Sequence, residues 1–185
     1  VTDAATHSPV PSIYVSVYDA VGIQLYSTYT DQYGNYTLGR LDSGQYKIFF
    51  QVSPWIAYPT NFASEWYNNQ RSYDTADWVN VTQGQTTAGI HAALEAGATI
   101  SGTVTRNADG EPLSGINIVC VTADTYNWVY ATTSNYDGTY TIPSLPAGSY
   151  KLRFEGGQDY ISEWYHDQLD WDQATHLAVD FGQVL

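Results

Sequence analysis

Leu41-Asp42-Ser43-Gly44-Gln45-Tyr46-Lys47-Ile48-Phe49-Phe50 and Leu145-Pro146-Ala147-Gly148-Ser149-Tyr150-Lys151-Leu152-Arg153-Phe154 carry one pattern twice. In both, a Tyr follows a Gly by two residues as a period-two run begins, the signature of a strand with one face on a core. In the first stretch Tyr46, Ile48 and Phe50 point one way and Lys47, Phe49 and Gln51 the other. A Tyr at such a corner can bury its ring and return its hydroxyl to a nearby backbone group, which fixes a loop crossing between two sheets. Both stretches therefore read as the entry to a sandwich strand.

Outward from these stretches the duplication continues. Upstream, Val1-Thr2, Pro9, Ile13 and Val17 fall opposite Val104-Thr105, Pro112, Ile116 and Cys120 at a spacing of 103 residues. Tyr36 and Leu41 fall opposite Tyr140 and Leu145 at a spacing of 104. Downstream, Glu65-Trp66-Tyr67 matches Glu163-Trp164-Tyr165 at a spacing of 98, so the first copy carries six extra residues between Val52 and Phe62. Ordered matches with insertions confined to loops are what duplication of a folding unit leaves behind. Asp31-Gln32-Tyr33-Gly34-Asn35 and Asn135-Tyr136-Asp137-Gly138 supply the Asx and Gly residues that tight turns need between strands. The expected architecture is all-β: two tandem Ig-like or prealbumin-like antiparallel sandwiches, residues 1–97 and 98–185. The first is expected to lack its first strand, the equivalent of Ala98 to Thr103, and the second its last, the equivalent of Ala88 to Glu95.

Composition agrees with this reading and narrows the partners. Aromatic residues make up 15% of the chain, with seventeen Tyr and six Trp, which favours strands over helices. Six Lys and Arg against nineteen Asp and Glu give a formal charge of −13, which repels a phosphate backbone and an anionic membrane surface. No nucleic-acid partner and no membrane insertion are expected, and no apolar run is long enough to span a bilayer. The first residues lack a secretory signal pattern, as a mature or excised segment would. Cys120 cannot form an internal disulfide and alternates with apolar neighbours, so it reads as a small buried hydrophobe.

Ile100-Ser101-Gly102-Thr103-Val104-Thr105, Pro112-Leu113-Ser114-Gly115-Ile116, Asp137-Gly138-Thr139-Tyr140 and Leu145-Pro146-Ala147-Gly148-Ser149-Tyr150, in that order, resemble the carboxypeptidase regulatory-like repeats of bacterial secreted and surface proteins. The resemblance implies a prealbumin-like sandwich serving as a stalk, spacer or accessory module, without peptidase activity. Related collagen-adhesin B-like repeats hold a Lys-to-Asn crosslink. Here the only lysines, Lys47 and Lys151, follow the Gly corner and do not match its position, so no crosslink is expected.

The candidate ligand-binding residues are Glu65, Trp66, Tyr67, Glu163, Trp164 and Tyr165, on a connection rich in further aromatics including Trp55 and Tyr58. Aromatic faces beside carboxylates can stack on sugars and accept their hydroxyl protons. The alternative is that Trp66 and Trp164 plug the sandwich beneath the crossover, because so long a connection needs aromatic packing of its own. Asn35 and Asn80 stand in glycosylation sequons, each placed by alternation to face solvent. Asp167, Asp170 and Asp172 lack calcium-loop spacing, and His7, His91, His166 and His176 lack metal-ligand spacing, so no metal, cofactor or catalytic residue is expected. The reading is a non-catalytic structural or adhesive repeat module outside the cell or on its surface, the unit of a head-to-tail filament or stalk. Its partners are expected to be neighbouring copies of itself. The alternative is a carbohydrate-binding accessory module of a secreted hydrolase.

Overall fold

Asp19, Asp31 and Asp137 start the architecture locally, each folding its side chain back onto the turn that follows. Asp19 Oδ1 accepts from the Val21 and Ile23 amides at 3.0 and 2.8 Å, and Asp31 Oδ1 from Tyr33 and Asn35 at 2.8 and 2.9 Å. These Asx turns reverse the chain and return it as antiparallel strands. The computed structural model describes residues 1–52 and 61–185. Trp55, Tyr58 and most of the six-residue insertion lie outside the described residues.

The chain divides into two compact units, Val1–Gly97 and Ala98–Leu185. The first contains β1 (Thr2–Asp3), β2 (Tyr14–Tyr18), β3 (Gln24–Tyr29), β4 (Gly44–Gln51), β5 (Glu65–Trp66), β6 (Val79–Val81) and β7 (Ala93–Leu94). Its main sheet runs β3-β2-β4-β5, with β6 sharing the far edge of β4, and β1 and β7 form a second, parallel layer. The second unit contains β8 (Ala98–Thr103), β9 (Asn117–Thr122), β10 (Trp128–Thr133), β11 (Thr139–Leu145), β12 (Gly148–Glu155), β13 (Glu163–Trp164) and β14 (Leu177–Val179). Here the main sheet is β10-β9-β12-β13, with β14 also on β12, and the second layer pairs β8 with β11. The fold is all-β: the described residues contain no α-helix, and the short turn Trp171–Gln173 is 3₁₀. No helix of the described residues is long and apolar enough to cross a membrane.

Each core lies between the layers. Val15, Val17, Tyr46, Ile48, Phe50 and Leu94 fill the first, and Ile100, Ile118, Cys120, Tyr140, Ile142 and Leu152 are among those that fill the second. The corner tyrosines close them: Tyr46 Oη donates to the Asp42 carbonyl at 3.1 Å and Tyr150 Oη to Pro146 at 2.7 Å. A buried hydroxyl ties each entry loop, Thr30 accepting from the Ile13 amide and donating to the Val10 carbonyl, Ser134 doing the same for Ile116 and Leu113. Matched positive φ angles mark the duplication in the backbone itself, at Arg40 and Ser144 (65° and 62°), Asn68 and His166 (both 65°), and Asn69 and Asp167 (both 58°). Burial pushes the Cys120 thiol up to about 12, where it behaves as an apolar side chain.

Lys47 and Lys151 alternate outward from the sandwich core, yet they are only 4% and 3% exposed. The outer face of β4 and of β12 is itself covered.

Candidate functional site

What covers it is the crossover that carries the Glu-Trp-Tyr triplet. In the first unit Glu65 is in register with Phe50 and Trp66 with Phe49, so Glu65 lies on the core side of the sheet and Trp66 on the outer side. Tyr67 returns to the core side, packed against the first hydrophobic cluster. A tight turn follows, with Trp66 and Gln70 exchanging backbone hydrogen bonds at 2.9 and 3.1 Å across left-handed Asn68 and Asn69. Asn tolerates that conformation because its short polar side chain reaches the local backbone. The second unit repeats this with Trp164, Gln168, His166 and Asp167. Asp167 is thus a turn residue.

The outer-face packing is aromatic. Trp66 lies 4.7 Å from Phe49, 5.0 Å from Tyr18 and 5.4 Å from Tyr73, ring centroid to centroid. Trp164 lies 5.1 Å from Trp171 and 5.9 Å from Tyr126. These are the tilted and edge-to-face geometries that the ring quadrupoles favour. A lysine closes each cluster from below: Lys47 Nζ sits 4.3 Å from the Tyr73 ring centre and 4.5 Å from that of Trp78, and donates to the Tyr73 carbonyl. Lys151 Nζ sits 3.9 Å from the Trp171 ring centre and donates to the Trp171 carbonyl at 2.9 Å. The ring faces and the carbonyl replace part of the hydration each ammonium loses.

The two carboxyls differ in surroundings. Glu65 is buried, its Oε1 has no hydrogen-bond partner, and burial pushes its pKa up to about 7, with Glu95 adding to the rise and Arg71 opposing it. Glu163 is half-buried and is raised by the same cause, with Asp167 contributing. Trp66, Tyr67 and Tyr165 are half-buried, and Trp164 is 6% exposed. Each triplet thus divides its side chains between two faces of a sheet. Asn35 and Asn80 are exposed, and Asn80 Oδ1 accepts from Gln45 Nε2 at 3.0 Å. Among the described residues no group of three or more His, Cys, Asp or Glu is placed to hold a metal ion.

A feature that sequence reasoning named only as missing strands is a groove in the first unit, about 570 Å3, between residues 34–41 and 84–91. Tyr36 forms part of its lining, 5.7 Å from Phe50 and donating from Oη to the Ile90 carbonyl at 2.8 Å.

Residues 99–180 match the family model of the carboxypeptidase regulatory-like domain. No curated protein sequence matches the chain. Among solved structures the chain is similar to the TIE protein of Bacillus anthracis, at 14% identity over 100% of this chain and 31% of that one, with a TM-score of 0.40. It is similar to a streptococcal ancillary pilin at 14% identity over 100% of this chain and 59% of that one, TM-score 0.42. It is also similar to the shaft pilin SpaA of Lactobacillus rhamnosus GG at 10% identity over 97% of this chain and 84% of that one, TM-score 0.39. The chain spans less than two thirds of the length of the first two.

Proposed function

From a second unit that is a carboxypeptidase regulatory-like domain and a first unit built on the same plan, we propose that the chain is a non-catalytic structural or adhesive module of an extracellular or cell-surface protein. It serves as the building unit of a head-to-tail filament or stalk. The observation that carries this reading is the double cover of β4 and β12 at the centre of the main sheets, a sandwich core on one face and an aromatic lid on the other. Such a unit resists bending of its sheet. An acidic coat of net charge −13 keeps assemblies apart from one another. The partners are neighbouring copies of the chain.

We place the six triplet residues, Glu65, Trp66, Tyr67, Glu163, Trp164 and Tyr165, in the packing of the crossovers. The burial of Trp164 and the division of each triplet between two faces favour this role over a shared sugar platform. Asn35 and Asn80 are the proposed acceptors of N-linked glycan, since both are exposed. Intact mass of protein from its native source reads their occupancy directly. Electron microscopy of the same material tests the main reading: regular fibres with a two-unit repeat are expected, and uniformly isolated particles would remove it.

A further inference from the structure

The outer face of the first unit's main sheet carries an ordered aromatic surface beside the lid. On β2, Val15 and Val17 turn into the core, so Tyr14, Ser16 and Tyr18 turn outward. Their partners on β3 are Tyr29, Ser27 and Gln24, and Gln51 of β4 stands opposite Tyr14 on its other side. The Tyr14 and Tyr29 rings lie 5.1 Å apart, centroid to centroid. Tyr14 Oη donates to Ser27 Oγ at 2.8 Å and accepts from Gln24 Nε2 at 3.0 Å, and Tyr18 Oη donates to Gln24 Oε1 at 3.1 Å. Ser27 is the partner of Ser16, so a hydroxyl held there lays the Tyr14 ring down along the sheet past the small, fully buried Ser16, with a ring face turned outward. Tyr29 is 55% exposed, Ser27 and Gln24 are exposed, and Tyr14 and Tyr18 are half-buried.

The fold does not require this arrangement. In the second unit the matching pairs are Asn117 with Thr133, Val119 with Ala131 and Val121 with Trp128, and Asn117 donates to Glu155 at 2.7 Å. The same two strands therefore form without a tyrosine at any of these positions. Three features of the first unit's surface limit what it can take. None of Tyr14, Ser16, Tyr18, Gln24, Ser27 and Tyr29 is charged, in a chain of net charge −13, so an ionic ligand finds no charge partner here. No aliphatic side chain stands among them, so the patch lacks the apolar centre of a protein interface. Four steps along the strands and two strands across cover about 13 Å by 10 Å, far below the roughly 800 Å2 that each partner buries in a standard protein complex.

We propose that this face is a binding site for a neutral glycan, a short run of sugar rings laid across Tyr14 and Tyr29. The C–H face of a sugar stacks on a flat-lying aromatic ring, and its edge hydroxyls exchange hydrogen bonds with polar groups at the rim. Here Tyr18 Oη, Gln24 and Ser27 stand at that rim in one chain of hydrogen bonds through Tyr14, and Gln51 flanks it. Groups already ordered in this way lose little further freedom when a ligand arrives. The site uses none of the Glu-Trp-Tyr residues, and it does not depend on the filament reading.

The test titrates the full chain with cellohexaose, xylohexaose, maltohexaose and chitohexaose as neutral probes and with an oligogalacturonate as the acidic one, following the aromatic ring protons by NMR. At least one neutral probe is expected to bind in the millimolar range or tighter and to shift the Tyr14 and Tyr29 rings, with the acidic probe weaker by about tenfold or more. Tyr14→Asn combined with Tyr29→Thr, the residues of the second unit at these positions, should weaken binding by about tenfold or more. Tyr29→Thr alone, at an exposed position, should weaken it several-fold and separates lost binding from misfolding of the double variant. Failure of every neutral probe, equal binding of the acidic probe, or shifts centred on another ring such as Trp128 overturns the proposal, as does undiminished binding by both variants. Substitutions that alter the sedimentation of the chain and not its sugar binding would assign the face to a protein partner, which also overturns it. Electron microscopy of the same protein keeps the two readings apart. Sugar binding by a chain that never assembles removes the filament and leaves this site, and fibres that bind no probe do the reverse.

Discussion

Glu65 is a buried carboxyl on the core side of its sheet. Its carboxyl is raised in the folded protein to about 7 from an ordinary value of 4.5, mainly by burial. Between these values the unfolded chain releases the proton and the folded one retains it, so stability falls as pH rises through this window and levels off above it. At about 1.4 kcal/mol per pKa unit, the ionised carboxyl costs the first unit on the order of 3–4 kcal/mol at pH 8. Glu65→Gln is expected to raise the unfolding midpoint of the first unit at pH 8 and to leave it nearly unchanged at pH 4, as thermal melts at the two pH values would read. Trp164, 6% exposed, is the matching test of packing. Trp164→Ala is expected to destabilise the second unit by about 3–5 kcal/mol in urea unfolding, within the range for a large buried aromatic. A loss under about 1 kcal/mol would mean that the lid does not stabilise the sheet it covers.

At the scale of elements, the paired and unpaired versions of one segment can be compared within a single molecule. Residues 141–145 lie in a ladder with β8, and residues 37–41 do not. Amides 37–41 are therefore expected to exchange about tenfold or more faster than 141–145, and equal rates would contradict the unpaired flank. Gly102→Val should destabilise the second unit by about 1–3 kcal/mol through overpacking against Tyr140, read as a lowered urea midpoint. Much of this level is visible in the chain itself. The alternation of Val15, Val17, Ile48 and Phe50 identifies core strands, and a Gly two residues before Tyr46 and Tyr150 identifies the corners. The outer lid is not visible in the same way. Lys47 and Lys151 occupy positions that alternation assigns to solvent, and the rings that cover them, Tyr73 and Trp171, arrive 26 and 20 residues later on a connection without periodicity. The triplets mislead for a related reason: three adjacent residues look like one surface, but a strand sends neighbours to opposite faces, as the same period-two rule requires.

At the scale of the whole molecule, the two units are built on one plan. The half-burial of Tyr36, Leu38 and Leu41 leaves apolar surface in the first unit that the second removes from water at Tyr140, Ile142 and Leu145. Calorimetry is expected to resolve two transitions instead of one, with the first unit melting at the lower temperature. A single transition would show that the units do not melt separately.

The burial of Lys47 and Lys151, the only lysines in the chain, has a further consequence for its reactivity. In the folded state neither lysine is presented to an acylating or aldehyde reagent. Modification of each lysine would then proceed only as fast as the aromatic lid lifts from its sheet. The two side chains act as separate clocks for that motion, one in each unit.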